Sequence, residues 1–425
     1  MKILVIGGGG REHAIIKKLK ESPKCGEIFA LPGNGGIASD SVCVDIGAKE
    51  IDRIVDFAVK NGIELAVVAP DDPLVLGCVD ELEKAGIPCF GPNKAAAVIE
   101  GSKVFSKNLM KKYGIPTAQY EVFSDMDAAL SYLDTAPIPT VVKADGLALG
   151  KGVIIAETRE QAKDAVRSMM QEKIFGESGS QIVIEEFLEG PEVSVLSFTD
   201  GRFICPMVSS MDHKRAHDGD TGLNTGGMGT IAPNPYYTDA IAKECMKTIF
   251  LPTINAMRDE GREFRGCLYF GLMLTKNGPK VIEYNCRFGD PETQVVLPLM
   301  KSDLVDIMLA TRNGTLADTE VQFSDGAACC VIMASNGYPQ SYEKGFEITQ
   351  TAPLPEGAQL FYAGAKKDGE HLLTSGGRVL GATAAAKDLH SAVLMAYNTI
   401  GCVHFDNAYY RKDIGKRALD AIIKE

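Results

Sequence analysis

Long apolar runs are absent from this 425-residue chain. The opening segment, Met1 to Gly10, is apolar for only a few residues before glycine interrupts it. That is too short for a signal h-region or a membrane span, so a cytoplasmic protein with no membrane partner is expected. Clusters of Lys and Arg are equally scarce, and the formal net charge is −12. Nucleic acid needs concentrated positive charge, so it is not an expected partner. Eleven cysteines occur without C-x-x-C spacing, which argues against a disulfide framework and a zinc site. The six histidines show no metal-binding periodicity, no Ser/His/Asp triad can be argued from spacing, and no internal repeat is visible.

What is present is ordinary globular material, with 45% hydrophobic and 24% charged residues. A chain of this length is expected to divide into about three domains. Lys2–Ile6 reads as a buried strand, four glycines follow, and Arg11–Lys20 has helical periodicity. Alternation continues through a helix over Glu50–Lys60, a strand Leu65–Ala69, a helix Leu74–Lys84 and a strand Ile87–Phe90, which predicts an α/β domain with a parallel sheet. A helix from Ser102 to Tyr113 leads into a small lid-like unit, and a later hairpin turns at Asn277-Gly278. The partition is 1–101, an N-terminal α/β domain; 102–120 with 191–325, a central domain; 121–190, a lid subdomain; and 326–425, a C-terminal mixed α+β domain.

Several segments carry chemistry. Gly7-Gly8-Gly9-Gly10-Arg11-Glu12-His13 lets backbone N–H groups and a helix N-terminus approach a phosphate, or is simply a tight turn. Glu12 stands where the third glycine of a dinucleotide fingerprint belongs, so a nicotinamide site is disfavoured. Lys143-Ala144-Asp145-Gly146, followed by Gly150-Lys151-Gly152, places one lysine at a strand end and another in a glycine loop, a pairing suited to a triphosphate. It is not a Walker A loop, because Gly146 and Gly150 are separated by three residues and Gly152 replaces the Ser/Thr.

The strand Ile182–Phe187 turns acidic where it emerges at Glu185, Glu189 and Glu192, either an adenosine site or an acidic linker. In Val281–Arg287, strand alternation places Glu283, Asn285 and Arg287 on one face and Ile282, Tyr284 and Cys286 on the other. A carboxylate, an amide oxygen and a guanidinium on one face suit magnesium or manganese between phosphate oxygens, although any half-exposed strand shows a polar face. Asp212-His213-Lys214-Arg215 and Asn224-Thr225-Gly226-Gly227-Met228-Gly229 lie in a long glycine-rich loop, read as the acceptor-substrate loop. His213 beside Lys214 and Arg215 reads as part of a cationic anion site rather than a general base.

In this order, and with Pro32-Gly33-Asn34, Ile99-Glu100-Gly101-Ser102-Lys103 and Phe288-Gly289-Asp290-Pro291-Glu292-Thr293, the segments resemble the phosphoribosylamine–glycine ligases of the ATP-grasp superfamily across essentially the whole chain. The resemblance implies an ATP-grasp fold, with the lid and central units as its two parts. It also implies a carbon–nitrogen ligase of purine biosynthesis joining glycine to 5-phosphoribosylamine at the expense of ATP, through glycyl phosphate. Magnesium or manganese is the implied cofactor. The implied partners are the small-molecule substrates alone, in a monomer or small homo-oligomer. By match to the family, Lys103, Lys143, Lys151, Glu185, Phe187, Leu188 and Glu192 line the ATP site, and Glu283 and Asn285 hold the metal. Arg287, Lys214 and Asp212 are the implied catalytic groups, with Asn224, Thr225, Gly226 and Gly227 on the glycine loop. Gly9, Gly10, Arg11, Asn34, Asp71, Asp290 and Glu292 are expected at the phosphate and ribose of the amine substrate. Two departures stand out: Asp71 replaces the family's glutamate, one methylene shorter, and Leu223 replaces a proline, so a less rigid loop is expected. Another ATP-grasp ligase acting on a purine-pathway ribotide is the alternative.

Overall fold

The computed structural model describes residues 1–147 and 152–423. Its first sheet is parallel and runs in the order Val42–Cys43, Glu27–Pro32, Lys2–Gly7, Leu65–Val68, Cys89–Phe90. Ile3–Ile6 of the central strand are apolar and buried because both faces are covered. Leu4 and Ile6 enter one core, while Ile3 and Val5 enter another with Ile15 and Leu19 of the helix Gly10–Lys20.

The helix expected over Leu74–Lys84 is two helices, Asp71–Leu76 and Cys78–Lys84. Gly77 breaks it: at φ 97° its N–H closes the first helix on Leu74 and Pro73 carbonyls. A helix Lys94–Gly101, absent from the sequence reading, precedes Lys103–Tyr113. Ser102 between them is extended, and its hydroxyl oxygen accepts Phe105 N–H as an N-cap. The Asp145 carboxylate accepts both Ser102 Oγ–H and Val104 N–H at 3.0 Å, tying this junction to the lid.

The lid is an antiparallel sheet in the order Tyr120–Phe123, Ile182–Glu186, Thr140–Ala144, Val153–Ala156. Helices Met126–Leu133 and Arg159–Met170 bury its own small core. The central antiparallel sheet runs Ile204–Pro206, Glu192–Thr199, Gly266–Thr275, Gly278–Asn285. Residues 211–232, placed with the central part by sequence, behave differently. Met211–Asp212 and Gly229–Ala232 pair into the C-terminal sheet beside Ala327–Ser335, Arg378–Ala386 and Ala358–Tyr362. Between them Arg215–His217 and Thr221–Asn224 form a hairpin, so the stretch read as a loop is partly strand. Among the described residues, no helix is long and apolar enough to cross a membrane.

Candidate functional site

The lid sheet, the central sheet and the 212–226 segment face one another across a cleft of ≈ 640 Å³, the size of a small-molecule site. Its floor is the strand Gly278–Asn285. Gly271 pairs with Glu283 and Leu272 with Val281, so Ile282 is a bulge. The extra residue changes the parity of the strand. Val281, Tyr284 and Cys286 are core residues, whereas Ile282, expected on the core face, lines the cleft beside Glu283, Asn285 and Arg287.

At one end of the cleft stand three lysines. Lys143 Nζ donates to Ile282 O at 3.1 Å and lies 3.0 Å from Glu185 Oε1, while Glu185 Oε2 lies 2.9 Å from Lys107 Nζ. Burial lowers the Lys107 pKa to about 8, with Glu185 acting in the opposite sense. Lys103 Nζ donates to Gly146 O at 2.6 Å, and burial followed by Lys143 lowers its pKa. Cations held this close together are short of counter-charge, which favours an anionic ligand. Phe187, Leu188, Val153, Ile155 and Met273 give this end apolar walls. Lys151 lies outside the described residues.

Elsewhere in the cleft, Lys214 Nζ is 3.0 Å from Glu192 Oε2 and 3.7 Å from Glu283 Oε1, and Glu192 leads the influences that raise its pKa. Burial works against the Glu283 carboxylate, yet Lys214, Lys143 and Lys103 hold it below the usual range. Asn285 Nδ2 donates to Glu100 Oε1 and Tyr284 O, which turns Oδ1 the other way. Glu283 and Asn285 therefore present two oxygen atoms of the hard type that divalent cations such as magnesium take. Arg287 Nη2 is 2.9 Å from Glu100 Oε1 and 4.0 Å from Asp71, and its buried Nε has no hydrogen-bond partner among the described residues. Burial, then Glu292, raises the Asp212 carboxyl well above its ordinary pKa. Glu292 is anchored through Ser194, whose hydroxyl is 3.2 Å from Glu292 Oε1 and 2.9 Å from Tyr269 Oη.

Phosphoribosylglycinamide synthetase family models match the chain three times: the N domain over residues 1–100, the ATP-grasp domain over 101–293 and the C domain over 328–417. The chain belongs to this family. A phosphoribosylamine–glycine ligase of Clostridium acetobutylicum is 48% identical over 416 residues, 98% of this chain and 100% of that one. A trifunctional purine biosynthetic protein of Gallus gallus is 47% identical over 98% of this chain, which spans 42% of its length. The crystal structure of phosphoribosylamine–glycine ligase from Thermotoga maritima superposes with a TM-score of 0.86 at 35% identity, covering 97% of this chain and 100% of that one. Biotin carboxylase of Campylobacter jejuni shares the fold alone, with a TM-score of 0.74 at 14% identity over 96% of this chain and 92% of that one.

Within this synthetase chain the cleft gathers Asp71, Lys103, Lys143, Glu185, Phe187, Leu188, Glu192, Asp212, Lys214, Asn224, Thr225, Gly226, Glu283, Asn285, Arg287, Asp290 and Glu292. Other residues singled out by sequence stand behind its wall. Arg11 donates from Nε to Glu12 Oε1 at 2.6 Å and from Nη1 to Phe288 O at 3.2 Å. Asn34 donates to Gly8 O and Tyr362 O, while its Oδ1 accepts Gly36 and Ile37 N–H. Gly9 is close to the cleft, since a Cβ there would sit 3.5 Å from Asp290 Oδ2. Gly10 is a packing glycine, because a Cβ would meet Gln294 Nε2 at 2.8 Å. Gly227 adopts φ +108°, and a Cβ would meet Pro291 Cδ at 2.5 Å and Asp212 Oδ1 at 2.7 Å.

His213 is not a cationic anion site. Its Nδ1 pairs with Gly229 O at 3.1 Å and its Nε2 accepts Gly415 N–H at 3.2 Å, which makes it the neutral tautomer joining the loop to the C-terminal part. Sequence reasoning passed over Lys107 and Arg378 and gave Glu100 no role. Glu100 lies three residues before Lys103 in the segment Ile99–Lys103, and that proximity is the available signal; nothing local marks Arg378.

Proposed function

We propose that this chain ligates glycine to 5-phosphoribosylamine, converting ATP to ADP and phosphate and releasing glycinamide ribonucleotide in the cytoplasm. The observation that carries the reading is the placement of a lysine-rich anion end and an oxygen-donor pair in one cleft beside the family's acceptor loop. The free carboxylate of glycine is anionic and resonance-stabilised, so an amine does not displace its oxygen. Transfer of the γ-phosphoryl group to that carboxylate makes glycyl phosphate, with phosphate as the leaving group.

Lys103 and Lys143 neutralise the triphosphate, Glu185 holds Lys143 toward it, and Phe187, Leu188 and Glu192 receive the adenosine. Glu283 and Asn285 would hold Mg²⁺ or Mn²⁺, which would supply further charge neutralisation for the phosphates. The Nε of Arg287, with Lys214, receives the glycine carboxylate and the transferred phosphoryl group. Asn224 to Gly227 orient the glycine. Asp71, Asp290 and Glu292 face the ribose side, with Gly9, Gly10, Arg11 and Asn34 shaping the turn for the amine's phosphate. The Asp212 carboxylate, made more basic by burial and by Glu292, accepts the proton that the attacking amine loses. Catalysis is then positioning and charge stabilisation rather than covalent chemistry by the protein.

Glycine labelled with ¹⁸O in its carboxylate tests this sequence. The reading expects label in the released phosphate; unlabelled phosphate alongside normal product formation would remove glycyl phosphate from the path.

A further inference from the structure

Arg378 begins the strand Arg378–Ala386 in the C-terminal sheet, far along the chain from the cleft residues it touches. Its Nη1 donates to Gly226 O at 2.6 Å and Asp290 O at 3.0 Å, with Gly227 O at 3.4 Å, and its Nη2 lies 3.2 Å from Asp290 Oδ2. One guanidinium thus gathers carbonyl oxygens from two loops. Carbonyl dipoles brought together this way repel unless a cation lies between them, so the apposition depends on Arg378. The guanidinium also packs on Gly226, where a Cβ would sit 3.1 Å from Arg378 Cζ. From the same part of the fold, Tyr338 Oη accepts Gly226 N–H at 3.1 Å, so Gly226 is held at both its amide and its carbonyl.

The two loops serve the two halves of the proposed reaction: 224–227 for the activated glycine, and the Asp290 turn for the amine. We infer that Arg378 is a positioning residue that sets the separation between glycyl phosphate and the amine, touching neither, so that the C-terminal part couples phosphoryl transfer to ligation. The inference rests on the proposed function. Without Arg378 the acyl phosphate still forms, but water attacks it in place of the amine. Glycyl phosphate and water then give glycine and phosphate, and ATP is hydrolysed without ligation.

The test measures ADP and glycinamide ribonucleotide together in the full-length chain, for wild type, Arg378→Lys, Arg378→Ala and Tyr338→Phe. Wild type gives equal amounts and needs both acceptor substrates; a wild type indifferent to glycine would overturn the proposed function itself. In Arg378→Ala the ADP-to-product ratio rises roughly tenfold while KM for ATP holds, since a small misplacement of reacting groups costs far more in rate than in nucleotide binding. Arg378→Lys, which keeps the charge and loses the fork, falls between. Tyr338→Phe moves the ratio the same way and keeps the test open if Arg378→Ala does not fold. A ratio of unity in every folded variant, with only the overall rate reduced, overturns the inference.

Discussion

The carboxylate of Glu100 lies 2.9 Å from the guanidinium of Arg287 through Oε1, while its Oε2 accepts the backbone N–H of Cys286 at 2.7 Å. Both side chains are largely withdrawn from water, so neither charge is well solvated without the other. The same Oε1 accepts from Asn285, which places a proposed metal ligand and a proposed catalytic cation under one buried acid. Glu100→Ala leaves Arg287 without its nearest counter-charge, and stability is expected to fall by roughly 3–5 kcal/mol. Glu100→Gln, which preserves an acceptor for Cys286, is expected to lose less. Urea unfolding of the three proteins decides this, and an unchanged midpoint in Glu100→Ala would refute it.

Gly227→Ala is expected to cost activity without unfolding the chain. An alanine at φ +108° is strained by about 1–3 kcal/mol, and its methyl would have to displace Pro291 or Asp212. Circular dichroism and product formation, measured side by side, check it. A variant with full activity would mean that the loop relaxes freely.

His213 gives a pH signature. Its pKa falls to about 4, chiefly through burial and then through Arg411 nearby. Above the unfolded value of about 6.5 both states are neutral and the group has no effect on stability. As pH falls below that value the unfolded chain takes up the proton first, so stability is lost progressively down to about pH 4, by roughly 3 kcal/mol in all. His213→Gln should flatten the unfolding free energy across that window, whatever its starting stability. Identical slopes in both proteins would contradict the assignment.

Glu283→Ala should abolish turnover by weakening the divalent cation. Direct Mn²⁺ titration in the presence of ATP should show a loss of roughly tenfold or more in affinity, the scale of one charged oxygen ligand. Near-normal activity at low Mg²⁺ would remove Glu283 from the site.

Much of this was legible in sequence because the signals were local. The apolar strand Lys2–Gly7 and its glycine turn, the lysine at the end of Thr140–Ala144, and the Asn277-Gly278 hairpin each follow from a few adjacent residues. Ile282 was misplaced because a bulge shifts strand parity without leaving a mark in composition. The two helices at Gly77 were merged because an isolated glycine does not declare a positive φ. Residues 211–212 fall at a glycine-rich loop of the central part by sequence; their pairing with the C-terminal sheet is not legible there, since their partner, Gly229–Ala232, pairs with a strand roughly a hundred residues later. His213 was read from its charged neighbours, whereas its partners, Gly229 and Gly415, come from elsewhere in the chain. Arg378 carried no motif, and its role is created by tertiary packing alone.

The most direct test of the account is ADP release by the purified chain with Mg-ATP, omitting in turn glycine and phosphoribosylamine generated in the assay. Release that requires both, with equimolar glycinamide ribonucleotide, is the predicted result. Release driven by a ribotide but indifferent to glycine would contradict it and assign the same cleft to a different ligation.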